Sequence, residues 1–212
     1  MPILYKMKGK ETVESRILKI EKGAWNRLEQ SMKVAGFSED YPKEIMLVAF
    51  KEERILQMYG FKDEVVKLIK EYPFTAFSGE FGPKIKEGDK QIPEGIYKVE
   101  YLNANSSYYL SIKVNFPNSF DQLKTSFEDV RDMGGDIFIH GKAATIGCIP
   151  IGDEAIEEVS LVTQKAFNKE VKVIISPRDF RVNPLYPKIE GIDWENELYD
   201  LISEELRILP SN

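Results

Sequence analysis

The sequence predicts a mainly β domain with flanking helices (α+β). Three observations carry this reading. An amphipathic helical stretch stands near the start, short strand-like runs broken by Gly- and Pro-rich turns fill the middle, and a further helical stretch stands near the end. Strands and helices do not alternate regularly, so a doubly wound parallel sheet is not expected. A length of 212 residues suits one large domain, or one domain with appended helices.

Between Thr12 and Ala35 the apolar residues Val13, Ile17, Ile20, Ala24, Leu28, Met32 and Ala35 recur at steps of three or four. That spacing makes one face of a helix, with Gly36 placed to end it. Asp40-Tyr41-Pro42 is a breaker. Residues 45–50 and 54–59 read as a hairpin across Lys51-Glu52-Glu53, and residues 65–69 fit a short helix or a strand. Residues 74–77 read as extended, and the loop at 79–95 holds four glycines and two prolines in seventeen residues. Such a long loop in a compact domain is usually functional or disordered. Residues 96–101, 108–114 and 137–139 read as strands, with 115–135 an excursion carrying a little helix. Asp153 suits the N-cap of a helix over residues 154–167, with Ile156, Val159 and Val162 inward. Residues 171–176 form a closing strand and residues 194–208 a C-terminal helix.

Charged residues make up 30% of the chain with both signs interspersed, and 42% is hydrophobic, which excludes wholesale disorder. A net charge of −6 argues against a nucleic-acid binder, whose footprint is a basic face. No apolar run approaches the roughly 18 residues of a membrane span. One Cys and one His exclude an intramolecular disulfide and a four-ligand Cys/His zinc cage.

The stretch GGDIFIHGKAATIGCIPIGDEAIEEV places that only His eight positions before the only Cys. A strand ending at His140 delivers the imidazole, Gly141 lets the chain turn, and Gly147 permits close backbone approach beside Cys148. A thiol near the following helix N-terminus and an imidazole is expected to titrate low. The Cys148 N–H and its neighbours would face a developing oxyanion. Nucleophile, base and oxyanion donors are the parts of acyl transfer through a thioester. The competing reading is bland: a lone Cys is most often a small buried hydrophobe, and a lone His a hydrogen-bonded structural group.

The segment resembles the L,D-transpeptidase (YkuD) catalytic domain family, in its YafK-like branch, where the His-to-Cys interval is short. The likeness extends to Ser78-Gly79, to GPKIKEGDKQIPEGIY (residues 82–97) and to SSYYLSIKVNFPNSFD (residues 106–121). It implies a catalytic domain over residues 44–181, with helical extensions at 1–43 and 182–212. It implies Cys148 as nucleophile and His140 as base, with Gly141 orienting the imidazole. Thr145 stands at the family's Ser/Thr position, and Gly147 with Cys148 supplies oxyanion contacts. Two positions depart from the family pattern: Ile146 stands where it carries His, and Pro150 where it carries Arg. Ile146 removes a polar group beside the nucleophile, and Pro150 removes a cation for substrate carboxylates.

Lys84 and Lys86, near Asp89, are candidates for carboxylate recognition, against a solvated loop with loosely paired charges. Tyr108 and Tyr109 alternate on an expected strand, so one faces the core and the other, taken as Tyr109, lines the cleft. Trp25 reads as packing, and Glu157-Glu158 and Glu204-Glu205 as solvated helix faces. The Gly-rich loop lacks the Gly-Lys-Ser/Thr end of a P-loop.

The expected function is cysteine-dependent acyl transfer on peptidoglycan stem peptides, mainly hydrolysis of links to the wall, with no metal or organic cofactor. Formation of cross-links or protein–peptidoglycan links is the first alternative, and a wall-binding scaffold with an inert Cys148 the second. Expected partners are stem peptides and a wall-linked protein, with no nucleic acid. Residues 1–8 carry no long apolar stretch and no small-residue cleavage site. The resemblance implies the cell envelope or periplasm, with an export signal outside this chain; the cytoplasm stays open as the other location.

Overall fold

Helix α1 (Val13–Val34) follows the predicted stripe: Ile17, Ile20, Ala24, Leu28 and Met32 are buried. The Thr12 side chain accepts the Ser15 N–H at 3.1 Å, and Gly36 leaves the helix at φ +89°. The computed structural model describes residues 10–37, 40–63, 65–125, 130–166 and 169–210. Residues 1–8, read above for a leader, and Phe167, at the expected end of the helix after the cysteine, lie outside the described residues.

The strands are β1 (Ile45–Phe50), β2 (Ile55–Lys62), β3 (Val65–Pro73), β4 (Gly95–Asn103), β5 (Ser111–Val114), β6 (Phe138–His140), β7 (Ile149–Pro150) and β8 (Lys172–Ser176). They form one mixed sheet in the order β3-β2-β1-β8-β4-β5-β6-β7. The β1–β8 and β6–β7 pairs are parallel and the other neighbours antiparallel. Helices α2 (Ser119–Lys124), α3 (Asp153–Ala166) and α4 (Glu195–Leu206) complete the fold.

Every residue of β1 is buried because both faces of the sheet are covered there. Ile45, Leu47 and Ala49 join an apolar cluster with the stripes of α1 and α3. Met46, Val48 and Phe50 join a second cluster with Leu198, Tyr199, Ile202 and Leu206 of α4. Burying each large side chain contributes roughly 1.5–3 kcal/mol, so these two layers are the main stabilising term.

Residues 65–69 belong to strand β3, paired with β2 from Ile55↔Pro73 to Lys62↔Val65. Residues 74–77 form no strand; Phe74 N–H donates to Arg54 O at 2.7 Å and Thr75 N–H to Pro150 O at 2.9 Å. Residues 108–110 are a turn before β5 rather than part of it, with Tyr109 at φ +79°. Asp153 is the first residue of α3, and its carboxylate accepts Lys142 N–H at 2.8 Å instead of capping its own helix.

Glu157 and Glu158 are not a solvated face. Glu158 is 2% exposed and accepts from Arg27 Nε at 3.0 Å, Lys70 Nζ at 2.7 Å and Tyr72 OH at 3.0 Å. Glu157 accepts from Arg27 Nη2 at 2.6 Å and from the Tyr109 hydroxyl. These acids sit where α3 meets α1 and β3, and a buried carboxylate persists only with such partners. Trp25 packs edge-on against Tyr41, with ring centroids 5.0 Å apart.

The Gly- and Pro-rich loop is tied down by a buried ion pair between Lys51 Nζ and Glu94 Oε1 at 2.8 Å, both side chains fully buried. Lys51 also donates to Gly82 O and Ile92 O, while Glu94 accepts from Gly82 N–H and from Tyr199 OH of α4, both at 2.8 Å. Among the described residues no helix is long and apolar enough to cross a membrane.

Candidate active site

Three short strands build the site. In the β5–β6 register Ile112 pairs with Ile139, and in the β6–β7 register Ile139 pairs with Ile149. All three isoleucines are fully buried in the cluster shared with α1 and α3. Side chains alternate along a strand, so the neighbours of this row face the other side of the sheet. His140, paired with Ser111 and Pro150, forms one row there. Lys113 and its partner Phe138 form the next. Cys148 immediately precedes Ile149 of β7, and its thiol reaches back to Asp136 O. His140 at the end of β6 and Cys148 just before β7 thus lie on neighbouring strands, with the thiol bonded to the backbone leading into β6.

His140 is 1% exposed, and its Nδ1 lies 2.6 Å from Gly141 O. A carbonyl only accepts, so Nδ1 carries the proton and Nε2 keeps a lone pair. Burial pulls the imidazole below its ordinary value, partly opposed by the Gly141 bond. Gly141 is enforced by crowding: a Cβ there would stand 2.5 Å from Asp153 Oδ1 and 2.8 Å from Tyr108 O. The turn is fastened further by Gly141 N–H to Leu110 O at 3.1 Å and by Lys142 Nζ to Ser107 O at 2.9 Å.

Cys148 is half-buried, and its Sγ–H donates to Asp136 O at 3.5 Å. Among the described residues no hydrogen bond joins it to His140. Burial pushes the thiol up from its ordinary value; the backbone near Phe138 and the positive charges of Lys113 and Lys84 offset this only in part. The expected low-titrating thiol is therefore corrected: α3 starts five residues on, at Asp153, and desolvation outweighs its N-terminal field. Both shifts favour the uncharged forms, the thiol of Cys148 and the imidazole of His140.

The other predicted residues divide. Thr145 Oγ1 donates to Cys148 O at 2.7 Å and accepts Gly147 N–H at 3.1 Å, so it shapes the turn and engages the Gly147 amide. Gly147 sits at φ +132°, where a Cβ would stand 2.9 Å from Gln91 O. Among the described residues the Cys148 N–H meets no acceptor. Lys84 is 6% exposed and bound to Asp89 Oδ1 at 2.5 Å and Lys86 O at 2.8 Å, a built pair rather than a loose one. Asp89 is held below the usual carboxylate range by Lys84 and backbone donors, against the opposing effect of burial. Lys86 is exposed. Tyr109 turns to Glu157, with the Arg16 guanidinium 4.4 Å from its ring centroid, whereas Tyr108 stacks beside His140 with centroids 4.5 Å apart. Ile146 is 77% exposed and Pro150 is buried.

Sequence reasoning missed Lys113 and Asp136. Lys113 Nζ lies 5.2 Å from the Phe138 ring centroid and 3.5 Å from Asp136 Oδ1. The available signal was a single charge inside the short apolar run Ser111–Val114. Among the described residues no group of three His, Cys, Asp or Glu side chains is placed to hold a metal. A hollow of about 430 Å³ beside Trp25 and Tyr41 contains none of these residues.

Comparison with known proteins identifies the family and the fold. The YkuD L,D-transpeptidase catalytic domain model matches residues 46–175. The chain is 32% identical over 163 residues, 73% of its length, to the protein named "Putative L,D-transpeptidase YafK" in Escherichia coli strain K12, and equally to its counterpart in strain O157:H7. It spans 64% of the length of those relatives. The crystal structure of the helical cell shape determining protein Pgp2 from Campylobacter jejuni superposes with a TM-score of 0.52 at 18% identity, covering 77% of this chain and 69% of that one, a likeness of fold. From the strand-borne histidine, the turn-borne cysteine and a match over most of the sheet, the chain belongs to the L,D-transpeptidase (YkuD) catalytic domain family.

Proposed function

We propose that this protein is a cysteine acyl-transfer enzyme acting on peptidoglycan stem peptides in the cell envelope, where it mainly hydrolyses peptide links to the wall. One observation carries the reading. The His140 tautomer set by Gly141 O leaves Nε2 unprotonated on β6, the strand whose neighbour β7 begins one residue after the only thiol of the chain. The catalytic unit is taken as residues 44–181, with helical extensions at 1–43 and 182–212.

A neutral pair dictates the order of events. Substrate enters first, and Cys148 Sγ attacks the scissile carbonyl carbon as its proton passes to His140 Nε2. The carbonyl oxygen becomes an oxyanion, for which the unengaged Cys148 N–H is the nearest backbone donor in this turn. Collapse breaks the C–N bond, and the imidazolium returns its proton to the leaving amine. Water then attacks the thioester while Nε2 takes its proton; the C–S bond breaks, the acid leaves and the thiol is restored. Nucleophile, proton carrier and oxyanion donor all come from the chain.

The test is to incubate the purified protein with peptidoglycan fragments and read product masses, alongside Cys148→Ala and His140→Ala. Loss of a linked peptide, dependent on both residues, is expected. New cross-linked species would point to transpeptidation instead, and no change with any fragment would point to a binding scaffold. Cys148→Ala should shift stability by no more than about 1 kcal/mol, because the half-buried thiol makes one weak hydrogen bond.

A further inference from the structure

Three lysines are buried among the described residues, and they are not alike. Lys51 is satisfied by Glu94 and two carbonyls, and Lys84 by Asp89 and one carbonyl. Lys113 is 8% exposed, yet its Nζ has only Asp136 Oδ1 at 3.5 Å, from a side chain that is itself 89% exposed. Among the described residues it donates no hydrogen bond. An ammonium has three donors, and a buried one without acceptors is costly.

Its position is equally specific. Lys113 of β5 pairs with Phe138 of β6, and its ammonium lies 5.2 Å from the Phe138 ring centroid. Asp136 links the lysine to the nucleophile: its carbonyl accepts the thiol at 3.5 Å and its carboxylate faces the ammonium at 3.5 Å. An exposed carboxylate held at 3.5 Å is a weak pair and swings into water at little cost. The position two residues after the cysteine, Pro150, offers no cation.

We propose that Lys113 is an anion subsite of the active centre, taking a free carboxylate that lies within a few bonds of the scissile carbonyl, with Asp136 occupying the ammonium until substrate displaces it. The subsite rests on the acyl-transfer reading and adds to it a specificity-determining residue, Lys113, that orients the donor through its carboxylate.

The single cysteine permits a test that does not depend on the natural substrate. Cys148 is alkylated with iodoacetate, an anion, and with iodoacetamide, its neutral analogue, at one pH. The ratio of the two rates is compared in wild type, Lys113→Met and Lys113→Arg by intact mass. Both reagents react with the same thiolate, so a changed thiol pKa cancels in the ratio. The expected result is a ratio at least about threefold higher in wild type than in Lys113→Met, restored in Lys113→Arg, and falling with added salt in wild type. A ratio indifferent to Lys113 and to salt overturns the subsite. A stem peptide with its carboxylate free and then amidated supplies the second arm: Lys113→Met should raise KM for the free form and leave the amidated form unchanged. A charge-dependent reagent ratio with no turnover of any stem peptide keeps the subsite and rejects the substrate reading. Turnover indifferent to amidation, with an unchanged ratio, does the reverse.

Discussion

The Tyr108 ring lies 4.5 Å, centroid to centroid, from the His140 imidazole, tilted by 41°. Tyr108 is 43% exposed while His140 is 1% exposed, so the tyrosine stands between the base and water. Its neighbour Tyr109 holds it there: a left-handed backbone turns that side chain the opposite way, to Glu157 and beneath Arg16. Glu157 is held in turn by Arg27 of α1, outside the residues matched by the family model.

Tyr109→Phe and Glu157→Gln should therefore slow turnover roughly three- to tenfold with little change in KM, since a loosened base is misplaced without losing substrate contacts. The chain has one histidine, so its ring resonances report directly. They should shift in both variants. A loss of thermal stability with unchanged resonances and unchanged kcat would make the Tyr109–Glu157 bond structural only.

The pH behaviour of the thiol follows from burial. With Cys148 raised above its ordinary value and His140 lowered below its own, the thiolate–imidazolium pair is scarce at neutral pH. Iodoacetamide reactivity of the free enzyme should be weak near pH 7 and rise only above the ordinary cysteine range of about 8.5. Turnover should nevertheless hold at neutral pH, because the neutral imidazole is the competent base and loses that role only as acid protonates it below its lowered value. A free-enzyme alkylation profile already at its plateau at pH 7 would contradict this.

Gly147 gives a third expectation. Its φ of +132° is a conformation that side chains avoid, and a Cβ would press on Gln91 O at 2.9 Å. Gly147→Ala should cost roughly 1–3 kcal/mol and displace the cysteine turn, lowering kcat far more than the stability loss alone accounts for. Thermal unfolding and stem-peptide turnover on the same preparation separate the two effects. Activity within twofold of wild type would show that the turn tolerates the shift.

Much of this fold was legible because single elements announce themselves. The α1 stripe, the 45–59 hairpin and the Gly-flanked strand ending at His140 each carry a local pattern. What was hidden depends on partners. A five-residue apolar alternation at 65–69 does not say whether β2 lies beside it. Glu158 reads as a surface acid until α1 brings Arg27 over it. Lys113 is linked to Cys148 only through the β5–β6 register and the Asp136 contacts, which no local pattern specifies. The thiol pKa failed for the same reason: a helix N-terminus is visible in sequence, whereas desolvation is a property of the assembled sheet.

The acceptor of the acyl group is the last expectation, and the turn before the nucleophile motivates it. Ile146 is 77% exposed and Pro150 is buried with its carbonyl committed to Thr75 N–H, so neither offers a side-chain donor or charge to an incoming amine. Thr145, the nearest hydroxyl in the turn, is already spent on Cys148 O and Gly147 N–H. An amine outcompetes bulk water at a thioester only when a formed site holds and orients it, which can supply an effective molarity of roughly 10⁵ M or more. Without such a site, water resolves the thioester. Supplying a donor stem peptide with rising concentrations of a free diamino-acid stem peptide should therefore leave the hydrolysis product dominant, and any cross-linked product should rise linearly without saturation. Saturable cross-linking that displaces hydrolysis at modest acceptor levels would establish an acceptor site that these residues do not supply, and transpeptidation would be the activity. Ile146→His offers the converse check. A polar ring at that exposed position should raise the amine-to-water product ratio if the apolar turn is what favours water, and should leave it unchanged if acceptor choice is set elsewhere.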